Sequence, residues 1–117
     1  MKAMVMREFG PPEVMRLEET STPVPGSGEV LIRVHAVSVN RTLDLAVRTG
    51  TYPASVALSH VLGVDPSGVV DAVGPGVTAR MVGDRVVARE VRRSPAESAG
   101  PVMLGVHTWG GAATRST

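Results

Sequence analysis

Hydrophobic and polar positions alternate along much of this chain with the two-residue period of β-strands. "KAMVMREF" (2–9) reads as a short strand, and "GPPEV" (10–14) as the turn after it. "VMRLEE" (14–19) reads as a second strand, followed by "TSTPVPGSGE", where prolines and glycines forbid regular pairing. The longest alternation is "EVLIRVHAVSVN" (29–40). Val30, Ile32, Val34 and Ala36 fall on one face and Arg33 and His35 on the other, which predicts a half-buried strand of a mostly antiparallel sheet.

The period then changes. In "NRTLDLAVRTG" (40–50), Leu43, Ala46 and Val47 share one helical face. Asn40 is a ready N-cap and Gly50 a ready left-handed terminator, so a helix of about two to three turns is predicted. "LGVDPSGVVDAVGPGV" (62–77) predicts a strand from Gly68 to Val73 that ends in Gly-Pro-Gly. "VGDRVVAR" (82–89) predicts a turn at Gly83-Asp84, with the Asp84 carboxylate on turn amides, and then another strand. Short strands divided by Gly/Pro turns describe a small barrel or sandwich.

One string invites a different reading. Gly74, Gly76 and Ala79 satisfy the G-x-G-x-x-[G/A] fingerprint of dinucleotide-binding turns. That fingerprint must open a helix whose first amides hold a pyrophosphate. Here Pro75 has no amide hydrogen, and the residues that follow run "VTARMVGDRVV", back into a strand. These glycines therefore serve loops and turns, not a cofactor.

Composition narrows the classes further. At 117 residues the chain holds one domain with a modest core, too short for a nucleotide-binding domain and a substrate domain together. A net charge of +1 and one each of Phe, Trp and Tyr argue against nucleic acid and against an anionic membrane surface. No apolar run reaches the length of a membrane span and the N-terminus lacks a signal-peptide core, so a cytoplasmic protein is expected. The chain has no cysteine, which excludes disulfides, thiolate nucleophiles and cysteine-held zinc. His35, His60 and His107 are scattered without helical spacing and are expected in loops or at the surface.

Four stretches, in order, carry a family resemblance: "PVPGSGEVLIRVHAVSVN", "NRTLDLAVRTGTYP", "LGVDPSGVVDAVGPGV" and "VGDRVVA". Together they resemble the N-terminal GroES-like domain of medium-chain dehydrogenases/reductases, the family of zinc alcohol dehydrogenases and quinone oxidoreductases. The resemblance covers residues 1–89, with an outlying piece at 103–111. It implies a mainly β fold: a partly open GroES-like β-barrel with one short helix, here followed by a poorly ordered C-terminal tail. In that family this domain forms one wall of the substrate cleft, and a second domain, absent from this sequence, binds NAD(P).

The resemblance also places the chemistry. Zinc members hold the metal with a Cys at the start of the short helix and a His in an L-G-H-E block. Here the helix opens with Asn40-Arg41 and the block reads Leu62-Gly63-Val64-Asp65, so no zinc site is expected. The spacing from Asn40 to Asp44 is one residue longer than the family's C-x-x-D, so either Asn40 or Arg41 stands at the Cys position. The zinc-free, quinone oxidoreductase-like branch has Asn and Asp at this helix. By that similarity Asn40 and Arg41 are candidates for contacting the cofactor, Arg41 through a phosphate. Thr42 and Asp44 are candidate catalytic residues, Thr42 as a proton-relay hydroxyl. The same residues also suit plain helix capping and solvated charge. Asp65 replaces an acid beside the missing metal and is expected to be structural.

The tail, 90–117, breaks the pattern. "RRSPAESAGP" is poor in apolar residues and reads as disordered, and "MLGVHTWGG" resembles the family again before "GGAATRST" leaves it. Codons GCG GCT ACG CGG AGT ACG would encode residues 112–117. Read two bases later they give Gly-Tyr-Ala-Glu-Tyr, the family's continuation, so a frameshifted gene is expected.

Two functions follow as expectations. The first is the substrate-side domain of an NAD(P)-dependent oxidoreductase acting on a carbonyl, alcohol or quinone, holding no cofactor and inactive alone. The second is a stand-alone binding or assembly module that self-associates through an exposed barrel edge or its cleft face.

Overall fold

The computed structural model describes residues 1–53 and 55–88, together with the backbone of three two-residue strands beyond them. Two antiparallel strands open the chain: β1 (Lys2–Met6) pairs β2 (Met15–Glu19) with Lys2 opposite Glu19 and Met6 opposite Met15. The turn between them is a single 3-10 turn, Pro12–Val14. Pro12 suits its first position, where no amide hydrogen is called for. Arg7 closes this end of the pair with a two-pronged bond to Glu18, Nε to Oε1 at 3.1 Å and Nη2 to Oε2 at 2.7 Å.

β3 (Val30–Val37) leads into α1 (Arg41–Thr49), then β4 (His60–Val61), β5 (Pro66–Val73) and β6 (Arg85–Val87). β4 pairs with the edge of β1 away from β2, and β3, β5 and β6 form a second antiparallel sheet in the order β3-β5-β6. β7 (Val91–Arg92) and β8 (Val102–Met103) pair with each other. β9 (Ala113–Thr114) pairs with β1, Lys2 opposite Thr114. These three short strands fall in the stretch expected to be irregular, whose other residues, His107 among them, lie outside the described ones. Every pairing among the described strands is antiparallel.

Two expectations are corrected. Ala36 was placed on the buried face of β3, yet it is exposed while Ile32 and Val34 are half-buried. The register shifts between Val34 and Ala36, where two steps of β3 face one step of β5. A bulge of this kind inverts the alternation beyond it. His60 was expected at the surface or in a loop, but it is buried, opposite Met6 in the β1–β4 pair. A two-residue strand has no period to read, so the signal for its burial lies in its neighbours.

The core sits where α1 meets β1 and β4. Met6, Val47, Leu62 and Val64 form one buried cluster, with Val14, Met15, Leu43, Tyr52 and Val56 packed around it. Ala3, Val5 and Val61 form a second. Val47 brings the apolar stripe of α1 into this core, worth about 1.5–3 kcal/mol for a fully buried valine. The helix ends at Gly50, in the left-handed conformation at φ 77°, and its amide reaches the Val47 carbonyl at 3.2 Å.

Gly74 settles the question raised by the fingerprint. It is buried, and its amide donates to the Glu29 carbonyl at 2.8 Å while Gly28 donates to the Pro75 carbonyl at 2.9 Å. A Cβ on Gly74 would collide with the carbonyl oxygen of Gly26. The residue is glycine because two backbones meet there. No helix opens there; the next regular element is β6. At the second turn, Asp84 accepts from the Met81 amide through Oδ2 at 3.1 Å, as expected for a turn aspartate.

Candidate functional site

The first turn of α1 is built by two side chains that cap it from both sides. Asn40, in an extended conformation, accepts from the Leu43 amide at 3.3 Å, and Asp44 Oδ2 accepts from the Asn40 amide at 2.8 Å. This occupies one oxygen of Asp44. The other, Oδ1, is buried and has no hydrogen-bond partner among the described residues. A buried carboxylate oxygen without a donor costs more than one left in water, unless something brings a donor to it.

Asp44 lines a cavity of about 310 Å³ bounded by Met15, Val37, Val39, Leu45, Leu62 and Gly63, with Ser38, Arg41 and Arg48 also on its wall. The lining is mostly apolar, with a few polar groups converging, which is the usual make-up of a small-molecule site. The cavity joins two stretches that are far apart in the chain, the start of α1 and Leu62-Gly63. A link beside it holds them together: Ser38 Oγ donates to Asp65 Oδ2 at 3.3 Å, and the Ser38 amide to the Asp65 carbonyl at 3.4 Å. Asp65, expected to be structural, supplies the acceptor of this link.

Of the four residues singled out from the sequence, Arg41 and Asp44 line this cavity. Asn40 and Thr42 are not on its wall; both are exposed, Asn40 as the cap. Sequence reasoning missed Arg48, Leu45 and the run Val37 to Val39. Arg48 was legible in principle, since it stands four residues after Asp44 and seven after Arg41, on the same stripe of the helix. Arg48 Nε donates to the Gly10 carbonyl at 3.1 Å, and the Gly10 amide returns a bond to the Arg48 carbonyl at 3.0 Å.

The residues do not fit a zinc ion. Val64, at the position where the resemblance puts a histidine ligand, is completely buried among Met6, Val47 and Leu62. Among the described residues no group of three or more His, Asp or Glu could hold a metal. A dinucleotide is fitted only in part. Arg41 makes no hydrogen bond or ion pair among the described residues, so its guanidinium is available to a phosphate, but no glycine-rich turn opening a helix is present among those residues.

The alcohol dehydrogenase GroES-like domain model matches residues 26–116, and the chain belongs to this family, the N-terminal domain of medium-chain dehydrogenases/reductases. Quinone oxidoreductase of Rattus norvegicus is 44% identical over 87 residues, 74% of this chain and 26% of that protein. An NAD-dependent alcohol dehydrogenase of known structure superposes with a TM-score of 0.84 at 40% identity, over 94% of this chain and 35% of the other. A mycobacterial relative complexed with NADPH gives a TM-score of 0.69 at 43% identity, over 78% of this chain and 28% of its own. The chain thus spans about a quarter of the length of the curated relatives it matches. Among the described residues no helix is long and apolar enough to cross a membrane.

Proposed function

We propose that this chain is the substrate-side domain of an NAD(P)-dependent oxidoreductase of the zinc-free, quinone oxidoreductase-like kind, acting on a carbonyl, alcohol or quinone. The observation that carries this reading is the cavity in which Arg41 and Asp44 of α1 meet Leu62-Gly63. When bound, the dinucleotide supplies or accepts the hydride. The chain's own residues do the rest: Arg41 pairs with a cofactor phosphate, and the apolar wall excludes water from the reacting carbonyl. Asp44, its Oδ2 held by the Asn40 amide, puts the candidate catalytic carboxylate on the cavity wall. Asn40 and Thr42, at the exposed start of the helix, are assigned to the rim, Asn40 toward the nicotinamide end and Thr42 as a proton-relay hydroxyl. The domain occupies 1–89, and the nucleotide-binding domain is not among these residues.

The test grafts residues 1–88 in place of the matching segment of the rat quinone oxidoreductase and measures NADPH-dependent quinone reduction. Asp44→Asn keeps an acceptor for the Asn40 amide while removing the charge, and is expected to lower kcat/KM about a hundredfold. A graft that is active but indifferent to both Asp44→Asn and Arg41→Gln removes these residues from the chemistry. The isolated chain is expected to oxidise no NAD(P)H above the buffer rate, and to retain no stoichiometric zinc after dialysis against a weak chelator.

A second reading is a stand-alone assembly module. It is favoured by the strongly exposed Val39 at the cavity rim and by Val87 on the edge strand β6. Sedimentation as a clean monomer at high concentration would count against it.

A further inference from the structure

We propose that Arg48 is a specificity-determining residue of this cavity, reading a carboxylate on the substrate; the inference rests on the oxidoreductase reading above. Asp44 and Arg48 stand at i and i+4, with the acid toward the helix N-terminus, the order that favours an ion pair along a helix. The pair is not made. Asp44 gives Oδ2 to the Asn40 amide and leaves Oδ1 without a partner, and no carboxylate among the described residues lies within ion-pairing distance of Arg48. Both residues line the same cavity, and Asp44 does not neutralise Arg48 there.

The Arg48 guanidinium is held in a way that suits recognition. Its Nε is tied to the Gly10 carbonyl at 3.1 Å, in a partly buried bond that restrains the plane of the group. Its two terminal nitrogens make no hydrogen bond among the described residues. An arginine anchored through Nε and open at both Nη atoms presents a pair of parallel donors, the fork that matches a carboxylate. The surrounding wall, Met15, Val37, Val39, Leu45 and Leu62, is apolar and suits a hydrocarbon or aromatic body. Arg41 lies two helical turns away, about 10 Å along the axis, so the two cations serve different groups of a bound ligand. With Arg41 assigned to a cofactor phosphate, Arg48 is left to the substrate. The substrate class is then an oxo acid: a carbonyl compound with an apolar body and one carboxylate.

Binding to the isolated chain is the test, followed through the methyl resonances of Leu45, Leu62 and Val39, with 4-acetylbenzoate and its uncharged counterpart acetophenone as probes. The wild-type chain is expected to bind 4-acetylbenzoate about tenfold more tightly than acetophenone. Arg48→Gln is expected to abolish that preference and leave acetophenone binding unchanged. Arg48→Lys keeps the charge without the fork and is expected to retain only part of the preference, and acetophenone binding in each variant shows that it is folded. Inorganic pyrophosphate separates the other source of an anionic group: its binding should respond to Arg41→Gln and not to Arg48→Gln. Equal affinity for the two ketones overturns the carboxylate assignment while leaving the cavity as the substrate site. Loss of the preference in Arg41→Gln rather than in Arg48→Gln overturns it as well. If neither ketone moves the cavity methyls, the carboxylate assignment is overturned, while the oxidoreductase reading is judged by the quinone reduction of the graft.

Discussion

The two sheets of this domain follow the same alternating pattern and are held together by different means. Around β1, β4 and α1, seven apolar side chains are buried: Ala3, Val5, Met6, Val47, Val61, Leu62 and Val64. Among the described residues of the β3-β5-β6 sheet, Val70 and, at the start of β5, Pro66 are buried, while Val73, Met81, Val82 and Val87, on its strands and the loop into β6, are exposed. The first region is held by packing against a helix. The second is held by backbone pairing, with glycines where chains cross closely, and its apolar face stays half open. Alternation therefore predicts that a strand has two unlike faces, but not whether anything covers the apolar one.

The sharpest way to break this comparison is to remove one side chain from each region. Met6→Ala is expected to cost about 2–5 kcal/mol, the range for deleting a large buried side chain, whereas Val87→Ala on the exposed edge is expected to stay within about 0.5 kcal/mol. Urea unfolding of both variants measures the difference. Equal losses would mean that the second sheet has a packed face of its own.

A smaller effect probes how the second sheet is held. Gly74→Ala forces a methyl into the Gly26 carbonyl, and neither backbone can move without disturbing β3 or β5. About 1–3 kcal/mol is expected, the range for overpacking. If the variant melts with the wild type, the close approach of these two loops is not what holds them.

The next effect lies on the helix that serves both the core and the cavity. Asn40→Ala removes the acceptor for the Leu43 amide and should cost about 1 kcal/mol. Because Asp44 Oδ2 still holds the first turn from the other side, the helix should persist, as circular dichroism can check.

The smallest effect concerns charge. The side-chain hydrogen bond from Arg7 is the main cause holding the Glu18 carboxyl below its ordinary pKa, against the opposing effect of desolvation. A carboxylate whose pKa is lowered on folding contributes stability above its unfolded pKa and loses it as pH falls through the lowered folded value. Glu18→Gln should therefore lower Tm slightly at neutral pH and leave it unchanged well below the carboxylate range. The pair lies at the surface, so salt should shrink the difference too.

Where local chemistry dictates conformation, the sequence alone was sufficient. The helix cap at Asn40, the left-handed Gly50, the Asp84 turn and the strands β1, β2, β3, β5 and β6 are all legible, because each depends on a few neighbouring residues. Arg41 and Asp44 could also be singled out, since the resemblance places them at the start of a helix. What required the tertiary structure is whatever depends on distant segments meeting. The burial of His60 is one case, because β4 is too short to show a period and takes its place from β1. Gly74 is another: the sequence assigned it to a loop rather than a phosphate turn, but the carbonyl that excludes a side chain there lies nearly fifty residues earlier. The cavity is the third. Sequence periodicity puts Asp44 and Arg48 on one stripe, but only the fold brings Leu62 and Gly63 against that stripe and Gly10 against Arg48. That leaves the two charges apart, because Asp44 is held by the neighbouring Asn40 amide while Arg48 takes its partner from a backbone that only the fold brings near.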